Sequence, residues 1–109
     1  MTPAEVVQRQ LDAYNDRDLE RFLAEYSDAI QVYRPPATGA AISGKAALSD
    51  YYAANRFNLP GLKAEVLHRF VLGSRVIDHE RIHGVRDAPF EVAAVYEVVE
   101  GKIRTAWFF

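Results

Sequence analysis

The side chains with chemical potential gather in one stretch, Arg75–His83, where Asp78 and Glu80 alternate with His79 and Arg81. Read as a strand, this segment puts both carboxyls on one face, about 6.6 Å apart. If Gly73-Ser74 closes a two-residue hairpin, one face pairs Leu72 with Arg75, Phe70 with Ile77, His68 with His79 and Val66 with Arg81. The other pairs Val71 with Val76, Arg69 with Asp78, Leu67 with Glu80 and Glu65 with Ile82. Arg69 then stands across from Asp78 and diagonal to Glu80. In a cavity, desolvation raises the carboxyl pKa values while Arg69 lowers them. Such a divergence separates an acid from a base. On a wet sheet face the same residues are a cross-strand ion pair worth roughly 0.2–1 kcal/mol. The catalytic reading gives Asp78 or Glu80 the acid–base role, with His79 as a proton shuttle. It expects Asp78→Asn to abolish turnover and leave the fold intact.

The histidine-bearing face offers a different chemistry. His68 and His79 are close enough as a direct pair to share a metal ion. His79 and His83, about 13 Å apart along one strand, are not. No third ligand is evident on that face, so no metal is expected. Elsewhere, Val6, Gln10 and Tyr14 form one line along a helix, with Gln10 and Tyr14 bordering its apolar stripe. They either orient a ligand oxygen or cap strand-end backbone groups. Tyr51, Tyr52, Tyr96 and Trp107 supply aromatic bulk with polar edges, suited to core filling or to a pocket wall. The ligand-binding candidates are therefore Gln10, Tyr14, Tyr52, His68, Arg69, Arg81, Tyr96 and Trp107.

The elements that position these residues are legible in outline. Thr2-Pro3-Ala4-Glu5 is a capping box with proline at the first helical position. Val6, Val7, Leu11 and Tyr14 continue it as an amphipathic helix from residue 3 to about 14. Asn15-Asp16 breaks that helix, and Leu19, Phe22, Leu23 and Tyr26 mark a second. A short β-rich run, Ile30 to Tyr33, stops at Pro35-Pro36, and Gly39 to Ser43 offers a return strand. A third helix runs from Lys45 to about Arg56 and ends at Asn58-Leu59-Pro60-Gly61. Four strands follow, Leu62–Leu72, Arg75–His83, Phe90–Val99 and Lys102–Phe109, separated by turn signals. Helices first and a meandering antiparallel sheet after them define an α+β fold.

Composition narrows the function. The 109 residues carry 13 Lys plus Arg against 15 Asp plus Glu, a formal net charge of −2, and no Cys. One domain is expected at this length. Thiol, disulfide and iron–sulfur chemistry are excluded. No basic run favours nucleic-acid binding. The longest apolar run, the five residues Val92 to Tyr96, falls far short of the roughly 20 needed to span a bilayer. With no secretory signal visible, the expected location is cytoplasmic. No nucleotide loop, zinc-protease helix or serine nucleophile elbow occurs, so no cofactor is expected.

Val6-Val7-Gln8-Arg9, Ala13-Tyr14-Asn15-Asp16-Arg17-Asp18-Leu19, Phe22 and Tyr26-Ser27-Asp28 resemble the N-terminal helices of the nuclear transport factor 2-like superfamily. Ile42-Ser43-Gly44-Lys45-Ala46-Ala47-Leu48 and Gly101-Lys102-Ile103…Trp107-Phe108 extend the likeness over nearly the whole chain. That superfamily includes ketosteroid isomerases, SnoaL-like polyketide cyclases and limonene epoxide hydrolases. The resemblance implies a cone-shaped barrel, with three N-terminal helices in the concave face of a curved, mainly antiparallel sheet. It also implies an apolar pocket, a small apolar or oxygenated ligand, and a homodimer. The isomerases' catalytic residues are not matched: their helix tyrosine falls on Gln10, their base aspartate on Arg34 and its partner near Ala94. The hydrolase triad is not matched either, with Arg81 and His83 covering only part of it and no carboxylate on the last strand. The isomerase alignment turns Arg69, Asp78 and Glu80 inward; the hydrolase alignment turns Arg81 and His83 inward. The expected function is a pocket protein, either a cofactor-independent acid–base enzyme or a non-catalytic binding or dimerisation module.

Overall fold

In the computed structural model, which describes residues 1–109, the chain opens with helix α1 (Pro3–Asn15). Its start is the expected box: Glu5 N donates to Thr2 Oγ1 (3.2 Å) and Thr2 N to Glu5 Oε1 (2.8 Å). The buried face of α1 carries Val6, Val7, Gln10, Leu11, Ala13 and Tyr14. Asp18 caps the short α2 (Leu19–Ala24), whose buried residue Phe22 sits among Tyr26, Tyr52 and Phe57 at centroid distances of 4.8–5.2 Å. Strand β1 (Tyr26–Tyr33) begins four residues ahead of the run its β-rich composition marks. Ser27-Asp28-Ala29 carries no strand pattern, yet pairing of Tyr26 with Ile103 draws the segment into the sheet. β2 (Ala40–Ser43) and α3 (Lys45–Asn55) follow, then β3 (Lys63–Leu72), β4 (Arg75–His83), β5 (Phe90–Val99) and β6 (Lys102–Phe108).

The six strands run in the order β2-β1-β6-β5-β4-β3. Every neighbouring pair is antiparallel except β1 and β6, which are parallel. This is an α+β cone, with three helices against one face of a mixed, mostly antiparallel sheet. α1 packs across β3 to β6, and α3 against β1 and β2. No helix is long and apolar enough to cross a membrane.

The β3–β4 register holds only over its first half. Leu72↔Arg75 through His68↔His79 pair as a two-residue turn demands, but a bulge between Val66 and His68 then shifts the ladder. Val66 faces Glu80, Glu65 faces Arg81 and Ala64 faces Ile82. The expected pairs Val66–Arg81, Leu67–Glu80 and Glu65–Ile82 do not form. The reason lies in burial: an extra residue reverses the side-chain alternation, since the pleat repeats every two residues. Ala64 thereby turns to the buried face, and Glu65 turns out to meet Arg81 (3.7 Å) and His83 (3.3 Å).

Two polar clasps fix α1 on this hairpin. Asn15 accepts from Ala64 N (2.7 Å) and donates to Ala64 O (3.0 Å). Arg69 donates to Gln8 Oε1 (2.8 Å) while its other nitrogens hold Asp78. At the far end of β4, Gly84 (φ 80°) lies so close to the Gly61 backbone that a Cβ would sit 2.2 Å from Gly61 C and O. This contact seats the β4–β5 loop, with Val85 and Arg86, over the end of the cone.

Candidate active site

The β4 alternation resolves which residues look inward. Val76, Asp78, Glu80 and Ile82 are buried, whereas Ile77, His79, Arg81 and His83 are half-buried on the outer face. Between the inner face and the helices lies a cavity of about 360 Å³. That is at the small end of the roughly 300–1,000 Å³ typical of ligand pockets. Gln10 and Tyr14 from α1, Tyr52 from α3, Glu80 from β4 and Tyr96 from β5 all line it. Tyr26, Phe22, Ile82, Phe90, Val92 and Phe108 complete much of the apolar wall. Gln10, Tyr26, Glu80 and Tyr96 are at most 4% exposed and form the inner end, while Arg34 and Arg56 are half-buried and Arg86 is exposed at the opening.

Glu80 is the chemically unusual group. Its Oε2 is buried without a hydrogen-bond partner. Burial among apolar and aromatic side chains pushes its carboxyl up to about 8; the charge of Asp78 adds to this, and Arg69 and the Tyr96 hydroxyl oppose it. Near neutral pH Glu80 is mainly a neutral acid with a proton to give. Around it runs a chain of polar tips: Tyr26 Oη donates to Gln10 Oε1 (3.0 Å), and Gln10 Nε2 donates to Tyr96 Oη (3.5 Å). Gln10 therefore occupies the Tyr96 lone pair and leaves that hydroxyl's proton free for Glu80 or a ligand. Burial raises Tyr26, Tyr96 and Tyr14 well above the ordinary phenol value and Tyr52 to about 12, so all four stay protonated donors.

Asp78 lies behind this end, fully buried, and is not among the cavity's lining residues. Arg69 grips it through two nitrogens, at 2.7 Å on Oδ1 and 2.9 Å on Oδ2. With both oxygens engaged, Asp78 acts on the cavity through its charge. The remaining expected residues stand outside. His68 and His79 stack at 5.6 Å on the outer face, His79 is bonded to Glu91, and Arg81 lies near Glu65 and Glu91. Trp107 stacks on Tyr33 at 6.3 Å and lines a separate shallow depression with Arg75 and Val95. The cause is the two-residue pleat, which separates His79 and Arg81 from Glu80. No group of three or more His, Asp or Glu stands where it could hold a metal ion.

The polar cavity residues not among the sequence candidates include Tyr26 at the inner end and Arg34, Arg56 and Arg86 at the opening. Arg34, just before Pro35, and Arg56, at the end of α3, carry no periodic signal. Their placement follows from β1 and α3 meeting at the wide end of the cone.

Three helices in the concave face of a mixed, mostly antiparallel six-strand sheet, with a cavity between them, define the nuclear transport factor 2-like fold. The SnoaL-like domain model matches residues 7–106, and the chain belongs to that family. No characterised protein matches in a search of curated sequences. Among solved structures, an uncharacterised cystatin-fold protein from Novosphingobium aromaticivorans is 22% identical, with a TM-score of 0.89 over 100% of this chain and 98% of its own. A computationally designed 17-OHP binder is 15% identical, with a TM-score of 0.87 over 100% and 92%. A candidate polyketide cyclase from Sinorhizobium meliloti is 16% identical, with a TM-score of 0.83 over 96% and 94%. At these identities the likeness is one of fold.

Proposed function

We propose that the cavity binds an apolar, oxygenated small molecule and that Glu80 exchanges a proton with it. The observation that carries this reading is a buried carboxyl, one oxygen unpartnered, on the wall of an aromatic cavity. A group with pKa near 8 populates both its acid and its base form close to neutral pH, where general acid–base catalysis works best. The proton goes to or from a substrate oxygen, or the carbon α to its carbonyl, while Tyr96 and Gln10 hold that oxygen. Asp78 and Arg69 tune Glu80 from behind without touching substrate. That a candidate cyclase and a designed ligand binder share the fold supports a pocket role.

The test uses 2-tetralone, an apolar ketone with exchangeable α-hydrogens, followed by NMR in D2O. Wild type is expected to accelerate exchange, and Glu80→Gln to bind the ketone and lose the acceleration. Equal rates for wild type, Glu80→Gln and buffer would leave the pocket as a binding module without turnover.

We also infer that a second copy covers the outer sheet face. Phe70, Ile77, Val95, Trp107 and Tyr33 lie in register across five strands there, with Phe70 62% exposed. A monomer by sedimentation at 100 µM, an order-of-magnitude ~10⁻⁴ M threshold for weak association, would contradict this.

A further inference from the structure

The opening of the cavity has a character opposite to the rest of the protein. The chain carries a net charge of −2, yet three arginines, Arg34, Arg56 and Arg86, ring the opening. None of the three makes a salt bridge, nor do the exposed Arg17 and Arg104, whereas Arg9, Arg21, Arg69, Arg75 and Arg81 all do; Arg56 donates only to the neighbouring backbone, Asn55 O (2.8 Å). Two of the three share an aromatic neighbour. The Arg34 and Arg56 guanidinium carbons lie 5.7 and 5.6 Å from the centroid of the same ring, Tyr51. Arg34 is also 5.3 Å from Phe108, and Arg86 is 3.9 Å from Phe90. Both Arg34 and Arg56 act on Tyr52, favouring its ionised form.

Aromatic faces compensate a cation only in part. Of the half-buried arginines, Arg69 and Arg81 have carboxylates and Arg34 and Arg56 have none, and the planar guanidinium fork suits carboxylate and phosphate oxygens. The cavity's own acids do not serve. Glu80 sits at the inner end and is mainly neutral, and Glu91 is engaged by His79 and Arg81. An apolar body would fill the aromatic interior and leave an anionic group at the arginines.

We propose that the ligand is an amphiphilic anion: an apolar, oxygenated body that meets Glu80, carrying an acidic head group held by Arg34 and Arg56. Arg86 lies over Phe90 on the exposed loop and contributes attraction at entry. This deepens the pocket reading above and rests on it.

Calorimetry with three probes sharing one ring system tests it: 2-naphthoate, methyl 2-naphthoate and 2-naphthyl phosphate. At least one anion is expected to bind ten times or more tighter than the neutral ester. The tighter of the two names the head group. The advantage shrinks with added salt. Arg34→Gln/Arg56→Gln is expected to bring the anion to parity with the ester, and Arg34→Lys/Arg56→Lys to restore part of the preference. An unchanged near-UV circular dichroism spectrum and urea midpoint show that the variants are folded. An ester that binds within tenfold of both anions in wild type would overturn the head-group assignment and leave the pocket intact. A preference that survives the double glutamine variant would overturn it too. No binding of any probe would overturn both this inference and the pocket reading.

Discussion

Glu80→Gln should make the protein more stable at neutral pH, by an amount that grows with pH. The unfolded chain releases the Glu80 proton near 4.5, and the folded protein holds it to about 8. Between those values the folded state binds the extra proton, so stability falls as pH rises. Below the unfolded value both states are protonated and there is no penalty; above the folded value both are ionised and the penalty is complete. A gap of about 3.5 at 1.36 kcal/mol per pKa unit makes the full penalty about 5 kcal/mol, with about 3 kcal/mol in force at pH 7. Glutamine keeps the shape and cannot ionise. The assay is urea unfolding of wild type and Glu80→Gln at steps from pH 4 to pH 9, read as the difference between the two. That difference cancels the titrating groups that do not interact with Glu80. It should rise by about 3 kcal/mol between pH 4 and pH 7, equivalent to roughly 12–24 °C in Tm for a domain of this size. It should level off above pH 8. A difference that stays flat with pH would refute the reasoning, because Glu80 would then ionise alike in both states.

Other perturbations follow from the same geometry. Arg69→Leu leaves Asp78 buried without its two hydrogen bonds and frees Gln8, so unfolding free energy should drop by about 3–5 kcal/mol by denaturant titration. Asp78→Asn removes the neighbouring charge that helps hold the Glu80 proton, and the pH midpoint of Glu80 by NMR should move down from about 8. Gly84→Ala forces a side chain into a positive-φ position and against Gly61. The strained backbone alone costs about 1–3 kcal/mol, and a lower Tm with weakened ligand binding should report the displaced loop.

Local signals determined most of the fold's outline. The capping box, the helix stripes and the hairpin turn at Gly73-Ser74 are contained within a few residues each, and the elements form where those signals stand, except that α2 ends at Ala24 and Tyr26, expected on its stripe, opens β1. What failed to show was long-range. Tyr26 joins β1 because of Ile103, which no local pattern announces. The bulge at Leu67 left a trace, since Lys63-Ala64-Glu65-Val66 alternates out of phase with Arg69 and Val71, but a fixed two-residue register passes over it. The site divides the same way. Glu80, Gln10, Tyr14, Tyr52 and Tyr96 carry polar tips on apolar faces, a pattern that periodicity exposes. Asp78 carries the same pattern, and only the third dimension shows Arg69 occupying both its oxygens. His68, His79, Arg81 and Trp107 hinge on which face turns inward, which the two family comparisons left open. The arginine opening has no sequence pattern because it is assembled from β1, α3 and the β4–β5 loop.

The most direct measurement is a ¹³C NMR titration of the Glu80 side-chain carboxyl in the folded protein, from pH 4 to pH 10. A midpoint near 8 is the result expected of a desolvated acid facing the cavity. A midpoint near 4.5 would mean that Glu80 is ionised at neutral pH and carries no proton to exchange.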